Sequence, residues 1–133
     1  MLKKIVAVDD DVFMLDIIKA CLGDVCEVVT TSDGKESFEL IKAEQPDMVI
    51  LDLLMPGVTG LDILARLRHS DLKMPVLMLT SLGEINIAGQ ALALGACEFI
   101  TKPFNPNELR RSVELKLFPD NSGHDDTPWK VKD

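Results

Sequence analysis

Lys4-Ile5-Val6-Ala7-Val8 runs into Asp9, Asp10 and Asp11, a short apolar stretch that stops abruptly on three carboxylates. The arrangement recurs along the chain. Met48-Val49-Ile50-Leu51 ends on Asp52, Val76-Leu77-Met78-Leu79 on Thr80-Ser81, and Glu98-Phe99-Ile100-Thr101 on Lys102-Pro103. Runs of this length with little polar interruption fit strands covered on both faces, as those of a parallel sheet are. In such a sheet, ligand chemistry gathers just beyond the carboxyl ends of the strands. Acids, a hydroxyl and an ammonium at those ends predict one shared site.

Strand-length runs alternate with stretches of helical period, which predicts an α/β fold: a doubly wound, five-stranded parallel sheet with five flanking helices. Strands are expected near residues 3–8, 25–31, 47–52, 75–80 and 97–101. The second, Glu27-Val28-Val29-Thr30-Thr31, is more polar and suits an edge. The first helix should start near Asp11, turn Phe13, Ile17, Ile18 and Cys21 to one face, and end at Gly23. A second follows Ser32-Asp33, faces Phe38 and Ile41 inward and stops before Pro46. The third spans about Thr59 to His69, burying Leu61, Leu64, Ala65 and Leu67 in varying degree. The fourth runs from Glu84 to Leu94 and ends at Gly95. The fifth has the clearest start: Asn105 as N-cap, Pro106 in first position and Glu108 in third.

The chain of 133 residues is long enough for one domain with a real core. Its net charge of −8 argues against a direct nucleic-acid surface, which needs clustered Lys and Arg. No apolar stretch reaches membrane-spanning length, and the run before Asp9 is too short for a signal-peptide core. Cys21, Cys26 and Cys97 lack metal-ligand spacing and read as reduced thiols of a cytoplasmic protein. Residues 1–118 form the expected domain. Residues 119–133 lose the periodic apolar pattern and read as a polar tail or linker, in which Trp129 is the exception.

The strand-end residues have complementary chemistry. Magnesium takes hard oxygen ligands, commonly one or two carboxylates. Asp10 and Asp52 suit direct ligation, with Asp9 holding a coordinated water. Helix capping explains one acid at a helix start, and Asp11 is assigned to it; it does not explain Asp9, Asp10 and Asp52 together. Lys102 alone would be a surface lysine, but its place after a strand and before Pro103 gives it a site role. An X-Pro bond in such a turn is where a cis peptide occurs. Thr80 suits a hydrogen bond to a phosphoryl oxygen better than a merely β-branched strand position does. A carboxylate is itself able to act as a nucleophile and form an acyl phosphate.

These residues together resemble the receiver domain of two-component response regulators, the fold of the chemotaxis protein CheY. The matching pieces are Val8-Asp9-Asp10, Val49-Ile50-Leu51-Asp52-Leu53-Leu54-Met55-Pro56-Gly57, Leu79-Thr80-Ser81 and Phe99-Ile100-Thr101-Lys102-Pro103-Phe104, within residues 2–118. The resemblance implies strand order 2-1-3-4-5, flavodoxin-like. It implies that Asp52 accepts a phosphoryl group from a sensor histidine kinase or a histidine phosphotransfer protein. Asp9, Asp10, Asp52 and the backbone carbonyl of Leu54 would hold Mg2+, for which Mn2+ could substitute. Lys102 would contact the phosphoryl group, Thr80 would swing toward it, and the Phe99 ring would move inward behind. The surface of the fourth helix, fifth strand and fifth helix would then signal to a downstream protein, or pair with a second copy in a phosphorylation-dependent homodimer. On this reading the chain is a signalling phosphoacceptor and not an enzyme, though it has intrinsic magnesium-dependent self-phosphorylation and self-dephosphorylation chemistry.

The fourth helix suits a switch, since Ile85 to Leu94 carries no charge and its interior Gly89 costs about 1 kcal/mol relative to Ala. Leu54 and Leu82 lie two residues beyond Asp52 and Thr80, where relatives carry polar groups that affect the hydrolytic water. Neither leucine orients water, so slow self-dephosphorylation is expected. Thr59 stands where many relatives have Asp. The rival function is a magnesium-dependent phosphatase working through an aspartyl phosphate on Asp52, but Leu53 and Leu54 offer it no general acid. A flavodoxin-like electron carrier would need a phosphate-cradling loop where Asp9-Asp10-Asp11 stands.

Overall fold

The computed structural model describes residues 2–119; Met1, the segment 120–133 with Trp129, and the Leu82 side chain lie outside the described atoms. Five parallel strands form the sheet: β1 (Lys3–Val8), β2 (Cys26–Thr31), β3 (Met48–Asp52), β4 (Val76–Ser81) and β5 (Glu98–Lys102). They lie in the order β2-β1-β3-β4-β5. The expected order and the polar edge position of β2 are both observed, and each strand falls within a residue of its expected span. Five helices connect them: α1 (Val12–Leu22), α2 (Gly34–Glu44), α3 (Gly60–Arg68), α4 (Ile85–Ala93) and α5 (Pro106–Leu117). A 3-10 turn, Leu82–Glu84, precedes α4. Among the described residues, no helix is long and apolar enough to cross a membrane.

Side chains alternate across each strand, so β1 supplies both cores. Ile5 and Ala7 pack with Leu15, Ile18 and Leu22 of α1 and with Leu109, Val113 and Leu117 of α5. Val6 and Val8 pack on the other face with Phe38 and Ile41 of α2, Ile63, Leu64 and Leu67 of α3, and Ala91 of α4. The helix starts are set locally. Asp11, Asp33 and Asn105 accept the N–H of the residue two positions on, the usual N-cap arrangement. Thr59 and Asp62 form a reciprocal capping box at the start of α3. Thr59 therefore holds the start of α3.

One helix face differs from expectation. In α1 the buried residues are Leu15, Ile18 and Leu22, whereas Phe13 is 79% exposed and Ile17 44% exposed. The apolar residues of this helix surround most of its circumference, so the periodicity did not single out the face that meets β1. In α3 burial varies as expected, with Leu64 and Leu67 buried and Leu61 and Ala65 half-buried, and Ile63 is buried as well. The three cysteines are free thiols.

Candidate functional site

Strand register brings the site together. Val8 pairs with Leu51, so Asp9 leaves β1 beside Asp52 at the end of β3. Ser81 pairs with Lys102 on the far side of the sheet centre. The Lys102 chain reaches back across β4 and places Nζ 2.9 Å from Asp9 Oδ2 and 3.1 Å from Asp52 Oδ1. Asp9 and Asp52 are buried, Asp10 is exposed, and one oxygen from each lies within 4.8 Å of the other two. The Lys102–Pro103 bond is cis.

The charges do not balance, with three carboxylates around one ammonium. Burial pushes the Asp52 carboxyl up, the neighbouring Asp9 charge adds to this, and Lys102 only partly opposes them; the result lies at about 7. For Lys102 burial acts downward, but the hydrogen bond and charge of Asp9, with the charge of Asp52, outweigh it and hold the ammonium above its usual range. Asp9 Oδ1 accepts the Asp11 N–H at 2.9 Å. Its buried Oδ2 has Lys102 Nζ, at 2.9 Å, as its one partner among the described residues. Hard oxygen donors only and surplus negative charge together fit a divalent cation at Asp9, Asp10 and Asp52.

The other expected residues lie around this cluster. Leu54 follows Asp52 by two and pairs with Thr59 in a short hairpin, its side chain 40% exposed. Gly60, the first residue of α3, lies so close under Asp52 that an added Cβ would strike the Asp52 carbonyl oxygen. Phe99 is half-buried and already leans on the α2–α3–α4 core. Thr80 is fully buried, and Asp52 pairs in register with Leu79 just before it. Its hydroxyl lies 3.3 Å from the Ser81 carbonyl oxygen and 3.3 Å from Glu84 Oε1. Glu84 also accepts the Ser81 N–H at 3.2 Å. Glu84 was not foreseen as a site neighbour. The signal for it is the spacing Ser81-Leu82-Gly83-Glu84, half of a capping box.

Known proteins resemble this chain in sequence and in shape. The family model described as the response regulator receiver domain matches residues 5–114. The probable transcriptional regulator ycf27 of Cyanophora paradoxa is 38% identical over 86% of this chain and 48% of its own length. The alkaline phosphatase synthesis transcriptional regulatory protein PhoP of Bacillus subtilis is 36% identical over 88% of this chain and 49% of its own. The chain thus spans about half the length of these curated relatives. Among solved structures, the chemotaxis protein CheY4 of Vibrio cholerae matches with a TM-score of 0.81 and 30% identity, covering 88% of this chain and 100% of that one. With fold, strand-end chemistry and family model agreeing, the chain belongs to the response regulator receiver domains.

Proposed function

We propose that this receiver accepts a phosphoryl group on Asp52 from a phosphohistidine of a sensor kinase or phosphotransfer protein, in a Mg2+-dependent reaction in the cytoplasm. What carries the reading is the buried Asp52 carboxylate, 3.1 Å from Lys102 Nζ and clustered with Asp9 and Asp10. One Asp52 oxygen attacks phosphorus as the donor's N–P bond breaks. The bond electrons return to that nitrogen, leaving a neutral imidazole that keeps the proton on its other nitrogen. Asp9, Asp10, Asp52 and the Leu54 carbonyl would hold the cation, which neutralises phosphoryl oxygens when bound. Lys102 orients the accepted group and offsets its charge without a proton transfer.

After transfer, the Thr80 hydroxyl turns to a phosphoryl oxygen and the Phe99 ring moves further inward, and the face built from α4, β5 and α5 takes its signalling form. The domain occupies residues 1–118, and 119–133 is a tail or a linker to an output region. The names of the half-matched relatives support a transcriptional output, with contact to DNA made outside this acidic domain. Leu54 offers the acyl phosphate no group to orient water, so the phosphoryl group should persist for minutes or longer once the donor is removed. Complete loss within seconds would refute that.

The test is incubation with acetyl phosphate and Mg2+, followed by intact-protein mass measurement. The expected product carries one phosphoryl group, loses it to hydroxylamine as an acyl phosphate must, and is absent in Asp52→Asn. A hydroxylamine-stable label, or equal labelling of the variant, would overturn the assignment.

A further inference from the structure

We propose that Glu84 is a positioning residue that holds the Thr80 hydroxyl on the α4 side in the resting domain. Handing this hydroxyl over to the phosphoryl group then loosens the turn that starts α4. The inference rests on the roles given to Asp52 and Thr80 above. A threonine hydroxyl has one proton to donate, so it serves one acceptor at a time. In this structure its acceptors are Glu84 Oε1 and the Ser81 carbonyl oxygen, both at 3.3 Å. These distances are long for an O–H···O bond, whose range ends near about 3.0 Å. The hold is therefore weak, and a phosphoryl oxygen at ordinary charge-assisted distance displaces it.

The consequence runs into α4. Glu84 belongs to the 3-10 turn Leu82–Glu84 and is the N-cap residue of α4, which has no side-chain cap of its own. Its carboxylate ties the turn to β4 through two contacts, the Thr80 hydroxyl and the Ser81 N–H. Loss of the first leaves the single 3.2 Å bond from Ser81. Glu84 thus links the phosphoryl site to the helix start, and the link favours the resting arrangement.

Beryllium fluoride, titrated into the full chain at fixed Mg2+ and followed by 19F NMR, tests this. Glu84→Ala removes the competitor, and binding should tighten about threefold, the effect of one modest hydrogen bond. Glu84→Gln retains an acceptor oxygen and should bind more like the native chain than like the alanine variant. Thr80→Ala should weaken binding, and Glu84→Ala added to it should change nothing further. The Ser81 amide should exchange faster with solvent once the fluoride is bound. If Thr80→Ala binds as the native chain does, the role of Thr80 falls and the link with it. If Thr80→Ala weakens binding while Glu84→Ala leaves it unchanged, or alters it equally without Thr80, the link alone is overturned.

Discussion

Helix α5 starts on Asn105, whose side chain accepts the Asn107 N–H, sets Pro106 in its first turn, and buries Leu109, Ser112, Val113 and Leu117. Across the sheet, α4 starts on Glu84 without a side-chain cap, carries Gly89 in its interior, and fully buries only Ala88 and Ala91. Both helices adjoin β5, yet their anchorage differs. Arg110 of α5 forms a two-pronged pair with Asp24 at 2.9 and 3.1 Å and donates to the Cys21 carbonyl, fastening α5 to the end of α1. No acid lies in the first turn of α4 and no base in its last. Burying a leucine or valine contributes about 1.5–3 kcal/mol, and an alanine much less. Displacing α4 therefore costs little, and displacing α5 disrupts a core. A switch in this fold is cheapest where anchorage is weakest.

Four experiments test this contrast. Leu109→Ala should lower stability by about 3 kcal/mol in denaturant unfolding, within the usual range for a buried leucine. Its side chain is fully buried, and no truncation on the buried face of α4 has as much to lose. A cost below 1 kcal/mol would remove the contrast altogether.

The second concerns the charged site. The Asp52 carboxyl lies near 7 in the folded chain, above its ordinary 3.8. The folded state therefore binds this proton more tightly than the unfolded one. Without divalent cation, stability should fall by a few kcal/mol as pH rises from about 4 to about 7, and level off above. Asp52→Asn should flatten that slope and be the more stable protein at pH 8 without metal. Mg2+ should stabilise the native chain by about 2.7 kcal/mol at a hundredfold excess over its dissociation constant, and the variant less. Identical slopes and identical melting shifts would remove Asp52 from the ligand set.

Asn105→Ala should cost about 1 kcal/mol by removing the cap of α5. The smallest effect is the most informative about α4. An added Cβ at Gly89 meets nothing within 4 Å, so Gly89→Ala should stabilise the domain by roughly 0.5–1 kcal/mol. If α4 is the element that moves, the same change should slow amide exchange along that helix and leave α5 untouched.

Much of this was legible because the strands are almost purely apolar and stop on polar residues. The runs at β1, β3 and β4 located the sheet centre, and their terminal residues located the cluster of Asp9, Asp52 and Lys102. Helix caps at Asp11 and Asn105 were readable because capping needs only neighbouring residues. The face of α1 was not, because Val12, Phe13, Leu15, Ile17, Ile18, Cys21 and Leu22 offer apolar side chains in most directions. Only the sheet beneath decides which of them are covered. Glu84 stayed hidden for a related reason. Its contact with Thr80 depends on the 3-10 turn, and Gly83 in that turn breaks the helical pattern that would have drawn the capping box out.

The corner beneath Asp52 has almost no clearance. Gly34 of α2 is pressed against Val58 and Met55, Gly57 turns with φ +82° beneath Lys35, and Gly60 is pressed against the Asp52 carbonyl. Three segments meet there backbone to side chain, with no room for another carbon atom. For anyone grafting a reporter or a binding loop onto this domain, that corner is a closed address. The crossing from α3 to β4, where Asp71 and Lys73 point into solvent, is the open one.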